Sequence, residues 1–141
     1  MKYKIPSLFF LISLVLISCS QPRVDLLPDQ STIRETQQGI LIGGDNRKTH
    51  QWLGIPYGEI VSTEDRWKQS KKPRAWDGVR EALKFGSFCI QQGSLVGTVQ
   101  RKNWGKTIGT EDCLNLNIWA PKLSSEEIES GAANYPVMLW I

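Results

Sequence analysis

Between Glu111 and Pro121 the chain reads Glu-Asp-Cys-Leu-Asn-Leu-Asn-Ile-Trp-Ala-Pro. Side chains of a strand alternate from face to face, so Leu114, Leu116 and Ile118 fall on one side and Asn115, Asn117 and Trp119 on the other. This alternation predicts a half-buried strand, and Pro121, which has no N–H to give to a ladder, closes it. By periodicity alone the stretch describes an edge strand of an exported, β-rich domain. A second run, Pro136-Val137-Met138-Leu139-Trp140-Ile141, has no polar face at all. That is the pattern of a strand buried on both sides of a parallel sheet. Without neighbours, such a strand exposes ladder groups and apolar surface and invites aggregation.

The other end of the chain carries Lys2 and Lys4 ahead of an apolar run from Ile5 to Ile17, interrupted at Pro6, Ser7 and Ser13. This is the layout of a secretory signal. Its thirteen residues fall short of the ~20 that a membrane-spanning helix needs. The run ends in Leu16-Ile17-Ser18-Cys19, which resembles the bacterial lipobox. Cleavage before Cys19 would leave a thiol for thioether attachment of diacylglycerol and an α-amine for further acylation, and several acyl chains make the anchor durable. The competing reading is an ordinary signal peptide with a chance cysteine, or a buried core helix. Residues 20 to about 38 are polar, contain Pro22 and Pro28 and show no sustained period, as expected of a flexible tether. The expected organisation is therefore a lipoprotein signal peptide over 1–18, a lipidated Cys19 and tether over 19–38, and a folded part over 39–141. Ser20 in place of an aspartate after the cysteine favours the outer over the inner membrane, by analogy with known lipoproteins.

The formal net charge of +3 includes Lys2 and Lys4; without them the remaining basic residues nearly balance the 14 acidic ones. Lys68, Lys71, Lys72 and Arg74 form one small basic cluster, which reads as a solvated face. No nucleic-acid-binding module is indicated. Gly39 to Gly43 and Gln51 to Ile55 read as early strands separated by the turn-prone Gly43-Gly44-Asp45-Asn46. Ser124 to Ser130 reads as a short helix with Ser124 and Glu127 as a capping box and Gly131 as its stop. Asp77 to Phe85 is ambiguous, since Val79 and Leu83 suit a helix. His50, the sole histidine, sits in Lys48-Thr49-His50-Gln51 and reads as a surface loop residue.

Residue identity goes further than periodicity. In order along the chain stand Gly39-Ile40-Leu41-Ile42-Gly43, Trp52-Leu53-Gly54-Ile55-Pro56-Tyr57-Gly58, Arg66-Trp67, Trp76-Asp77-Gly78-Val79-Arg80, Phe85-Gly86, Cys89-Ile90-Gln91, the Glu111–Pro121 stretch and Pro136 to Ile141. This succession resembles the type B carboxylesterase family, the serine hydrolases that include the cholinesterases, and it covers residues 39 to 141. Two departures are visible. The family usually has an aromatic residue or threonine where Asn115 stands, and commonly a proline pair where this chain has Gly58 to Asp65, so a reshaped loop is expected there.

The resemblance implies an α/β fold: the N-terminal, β-rich part of an α/β-hydrolase, truncated at a central-sheet strand, because the family's catalytic domain is several times longer than 141 residues. Exported cysteines meet an oxidising compartment, and with Cys19 given to lipid an even pair remains. The family joins a cysteine of its Cys-x-Gln element to that of Glu-Asp-Cys-Leu, which corresponds to Cys89 with Cys113. Closing that loop would stabilise by roughly 3.5 kcal/mol. By the same resemblance Arg66 and Glu111 form a structural ion pair, with a guanidinium fork suited to a carboxylate, and Trp104 lies near the position of a substrate-gorge aromatic, where an indole face can hold a cation. A loop tryptophan is also an ordinary packing anchor.

Ester hydrolysis by this class needs a nucleophilic serine, a histidine, an orienting acid and oxyanion donors. In the family a His-Gly-Gly element follows the strand that here ends at Ile141, and the Gly-x-Ser-x-Gly elbow, acid and histidine come later still. No catalytic residue is therefore assigned, nor any cofactor or metal site, and these residues alone are expected to be inactive. The expectation is the N-terminal part of a lipid-anchored hydrolase of small-molecule carboxylic esters, bound to a bacterial membrane through Cys19. The rival is a non-catalytic, cholinesterase-like adhesion lipoprotein.

Overall fold

Tight turns organise the first half of the chain into paired strands. A computed structural model describes residues 25–93, 103–131 and 134–141. Strand β1 (Arg34–Thr36) pairs antiparallel with β2 (Gly39–Ile42), and β3 (Gly44–Asn46) pairs antiparallel with β4 (Thr49–Pro56). The first hairpin closes through Gly39 at φ +144°, where an added β-carbon would collide with Trp76. The second turns through Arg47 at φ +35°. Strand β5 (Val79–Glu81) joins β2 in parallel, and β8 (Asn115–Pro121) joins β4 antiparallel. The short strands β6 (Gln91–Gln92) and β7 (Thr107–Ile108) form a separate ladder, and helix α1 spans Ser125–Glu129. Among the described residues no helix is long and apolar enough to cross a membrane.

Ala82 splices the first two sheets. Its N–H donates to the Ile42 carbonyl at 2.8 Å and its own carbonyl accepts from the Leu53 N–H at 2.7 Å. A larger side chain has no room there, since Ala82 is 1% exposed and packs in the core with Leu41 and Trp52. Thr32, the most deeply buried side chain, lies at the edge of this core. Its hydroxyl donates to the Asp29 carbonyl at 2.5 Å and accepts from the Gly43 N–H at 2.9 Å, while its carbonyl accepts from the Trp52 indole at 2.7 Å. Buried polar groups cost little when satisfied in this way.

Several sequence expectations change. The segment over 29–36, read as part of a tether running to residue 38, is folded. Asp29 caps a 3-10 turn (Gln30–Thr32), and β1 follows directly. Backbone pairing and a buried threonine override the polar composition that suggested flexibility. Gly44–Asn46 is a strand rather than a turn, with the reversal displaced to Arg47 and Lys48. Asp77 to Phe85 contributes β5, because β2 offers it a parallel ladder. The short helix and its capping box form as read, with both Ser124–Glu127 hydrogen bonds present.

Two apolar patterns behave differently from their reading. On β8 it is Leu116 and Ile118 that stay half-exposed, while the intervening asparagines reach framework atoms. Asn117 Oδ1 accepts from the Gly54 N–H at 2.9 Å, and Asn115 Nδ2 donates to the Ser87 carbonyl at 3.2 Å. The β4–β8 ladder is interrupted between Trp52 and Ile55, so a side-chain acceptor takes the place of a backbone one. The run from Pro136 to Ile141 is not a strand, and Val137 to Ile141 are exposed. A strand covered on both faces needs ladder partners, and the described residues provide none.

Candidate functional site

The loop between β5 and β8 is held by a covalent tie and a charged one, close together. Cys89 and Cys113 are disulfide-bonded, with Cα atoms 4.9 Å apart. Two residues before Cys113, Glu111 accepts a hydrogen bond from the guanidinium of Arg66. Within the loop, Gly109 at φ +96° lets the backbone pass against Phe88 and Cys89; a β-carbon there would strike both carbonyls. The Thr110 N–H then donates to the Phe88 carbonyl at 2.8 Å. The β6–β7 ladder pairs Gln91 with Ile108 inside the same loop. Trp104 lies on this loop, largely exposed, beside Gly105 at φ +70°. Cys19 lies outside the described residues.

The Arg66–Glu111 pair is half-exposed on both sides, so solvent screens it and its contribution is modest. Two further pairs fasten the segment that replaces the family's proline pair. Arg74 Nε meets Glu59 Oε1 at 2.6 Å, and Lys71 Nζ meets Asp65 Oδ1 at 2.9 Å. The Lys71 ammonium, then the Ser62 hydroxyl, hold the Asp65 carboxyl below its ordinary range, and Asp65 in turn raises Lys71. The cluster read as a solvated face is thus partly consumed in local pairing; Lys68 and Lys72 remain outside these bridges.

His50 is not on a surface loop. It lies on β4, 5% exposed, edge-on to Trp52 with ring centroids 6.1 Å apart. Its Nε2 is 3.3 Å from Ser31 Oγ, and Ser31 Oγ donates to Asp29 Oδ1 at 2.6 Å. The three residue types are those of a hydrolytic triad, but the order of contacts is wrong for one. The carboxylate engages the serine rather than the imidazole, so the serine proton is committed to Asp29, and His50 serves Ser31 as a donor. The group caps a turn and ties it to β4. Asp29 is held below the usual carboxylate range, first by the Ser31 hydroxyl and then by the Ser31 N–H. The period-two spacing of His50 and Trp52 was the signal that placed both side chains on one buried face.

A second feature escaped the sequence reading: an apolar groove of about 360 Å³ between the sheets, lined by Leu41, Trp52, Ile55, Leu116 and Ile118. Arg34 forms its rim. Its guanidinium lies 5.3 Å above the Trp52 ring and donates to the carbonyls of Ser31 and Ile33. The groove offers chiefly apolar contact, and the hydroxyl of Thr36, which also lines it, donates to the Gly39 carbonyl at 2.8 Å. Among the described residues no group of three or more His, Cys, Asp or Glu side chains is placed to hold a metal ion.

A model of the "Carboxylesterase family" matches residues 30–141. The chain is 34% identical over 114 residues to a fumonisin B1 esterase of Sphingopyxis macrogoltabida, covering 80% of this chain and 19% of that protein. It is 33% identical over 106 residues to a para-nitrobenzyl esterase of Bacillus subtilis strain 168, covering 75% and 20% respectively. A solved PNB esterase superposes with a TM-score of 0.56 at 30% identity, over 65% of this chain and 18% of that one. The chain thus spans about a fifth of the length of the curated relatives it matches. The superposed structures are carboxylesterases with the α/β-hydrolase fold, and the described residues form a strand-rich part of that fold.

Proposed function

Because this chain belongs to the carboxylesterase family, we propose that it is the N-terminal scaffold of a lipid-anchored serine hydrolase acting on small-molecule carboxylic esters. The observation that carries this reading is the match over residues 30–141, joined to the strands, disulfide loop and ion pair of the described residues. The complete enzyme would form a seryl acyl-enzyme with groups that residues 1–141 do not supply. These residues hold no Gly-x-Ser-x-Gly, and their single histidine is buried against Trp52 with Nε2 3.3 Å from Ser31 Oγ. Residues 1–141 by themselves are therefore proposed to be inactive.

The lipobox-like Leu16-Ile17-Ser18-Cys19 supports anchoring through Cys19 in a bacterial envelope, with the outer membrane favoured by Ser20. The test has two parts. Purified residues 1–141 should hydrolyse p-nitrophenyl acetate at the background rate, and a rate well above it would overturn the assignment of inactivity. The protein carrying the sequence that follows the Ile141 codon in its gene should hydrolyse the same ester, and should lose that activity when the elbow serine is replaced. Absence of a His-Gly-Gly element and elbow from that sequence would sink the hydrolase reading.

A further inference from the structure

The folded residues nearest the N-terminus leave the body of the chain at an end of a sheet marked by positive charge. Pro28 bridges Gly44 in the antiparallel sense, and the Asp29 N–H donates to the Gly43 carbonyl at 3.0 Å. Traced backward from Pro28, the chain therefore runs beside β3 toward the β3–β4 turn, with Leu26 seated against Gly44. That turn is made by Arg47 and Lys48, both exposed and without an ion pair among the described residues. Pairing of Thr49 with Pro121 brings Lys122 to the same end, where its ammonium neutralises Asp45 at 2.6 Å. Asp25 lies at this end too and offsets part of the charge.

We infer that Arg47 and Lys48, with the charge of Asp45 cancelled by Lys122, form a cationic footing that rests on an anionic lipid surface. The inference depends on the proposed lipid anchor at Cys19. Six residues lie between Cys19 and Leu26, at most about 25 Å of fully extended chain from one to the other. The strand advances roughly 7 Å from Gly44 to Asn46 in the same direction, and the Arg47–Lys48 turn caps that end. The tip and the point of attachment thus share one end of the molecule. Anionic headgroups attract Lys and Arg within a Debye length, about 8 Å at physiological salt. Two exposed cations give a weak contact in free solution, but a tether turns it into an intramolecular one at high effective concentration.

Trypsin reads the footing directly, because it cleaves after Arg47 and Lys48. The lipidated full chain is reconstituted into vesicles of phosphatidylcholine alone and of phosphatidylcholine with phosphatidylglycerol, and palmitate labelling of wild type against Cys19→Ser is run in the producing cells. The expected result is labelling that Cys19→Ser abolishes. Cleavage at Arg47 and Lys48 should also be several-fold slower on the anionic vesicles, with the difference erased at high salt. Labelling with equal cleavage on both vesicles overturns the footing and leaves the anchor standing. No labelling overturns the anchor, and the footing with it.

Discussion

Gly86 and Asn115 occupy a single space: a β-carbon on Gly86 would overlap the Asn115 carboxamide. That carboxamide donates to the carbonyl of Ser87, the next residue along, at 3.2 Å. Asn115, the departure from the family pattern, thus fills space that the bare backbone of Gly86 leaves open. Gly86→Ala should force the amide off Ser87 and cost about 1–3 kcal/mol. Asn115→Ser, which shortens the side chain, should recover part of that loss. A double-mutant cycle on the urea unfolding of the full-length protein measures the coupling; additive effects would show that the two residues do not share the space.

Thr32 is the hub of the N-terminal packing, with its hydroxyl between the Asp29 carbonyl and the Gly43 N–H. Thr32→Val keeps the volume but leaves the buried Gly43 N–H without a partner, while the Asp29 carbonyl still accepts from the Thr32 N–H, a cost of roughly 1–3 kcal/mol. Thr32→Ser retains both hydrogen bonds and loses a methyl, and should cost about 1 kcal/mol. Thermal unfolding of the two variants decides it. A valine variant as stable as wild type would mean that the hydroxyl contributes nothing.

What the sequence revealed and what it hid follow from how local each signal is. The capping box of α1 depends on Ser124 and Glu127, three residues apart, and was readable. So was the alternation of β8 as an extended element. The anchoring of its polar face was not, because the break in the β4–β8 ladder between Trp52 and Ile55 is a property of two strands far apart in sequence. That break gives Asn117 a backbone donor to satisfy, while Leu116 and Ile118 line the apolar groove with Leu41 and Trp52. The fold of residues 29–36 was hidden for a similar reason: a polar segment becomes ordered when one threonine finds a donor on another strand. His50 reads as a loop residue among Lys48, Thr49 and Gln51, yet it shares the buried face of β4 with Trp52, two residues on. Pro136 to Ile141 shows the converse, since an apolar run predicts a strand only where partners for its ladder exist.

The disulfide and the ion pair beside it should contribute unequally. Arg66 and Glu111 are both half-exposed, which limits the pair to about 0.2–1 kcal/mol, whereas closing the Cys89–Cys113 loop is worth roughly 3.5 kcal/mol on the chain-entropy estimate. In the oxidised full-length protein, Arg66→Ala should lower the unfolding free energy only slightly, and Cys89→Ala/Cys113→Ala should lower it several times more. Urea unfolding of the variants under matched conditions compares them. A larger loss from Arg66→Ala than from removing both cysteines would reverse the ranking and make the ion pair the main tie of the loop. No loss at all from Arg66→Ala would remove its role as a structural pair.

Asp29 gives the N-terminal turn a dependence on acid. Its carboxyl is held below the ordinary range chiefly by the Ser31 hydroxyl, at 2.6 Å, and then by the Ser31 N–H, at 2.8 Å. The folded value thus lies under the unfolded one near 3.9. Between these two values the unfolded chain binds more protons than the folded one, so stability rises with pH there. The contribution is fully present above about pH 5 and is lost as the pH falls through the folded value. Asp29→Ala should therefore lie below wild type at pH 7, with a gap that narrows once the pH drops under about 4. Unfolding midpoints of the two proteins, taken from pH 7 to pH 3, test this; a gap that stays constant down to pH 3 would show that Asp29 acts through shape alone and not through its charge.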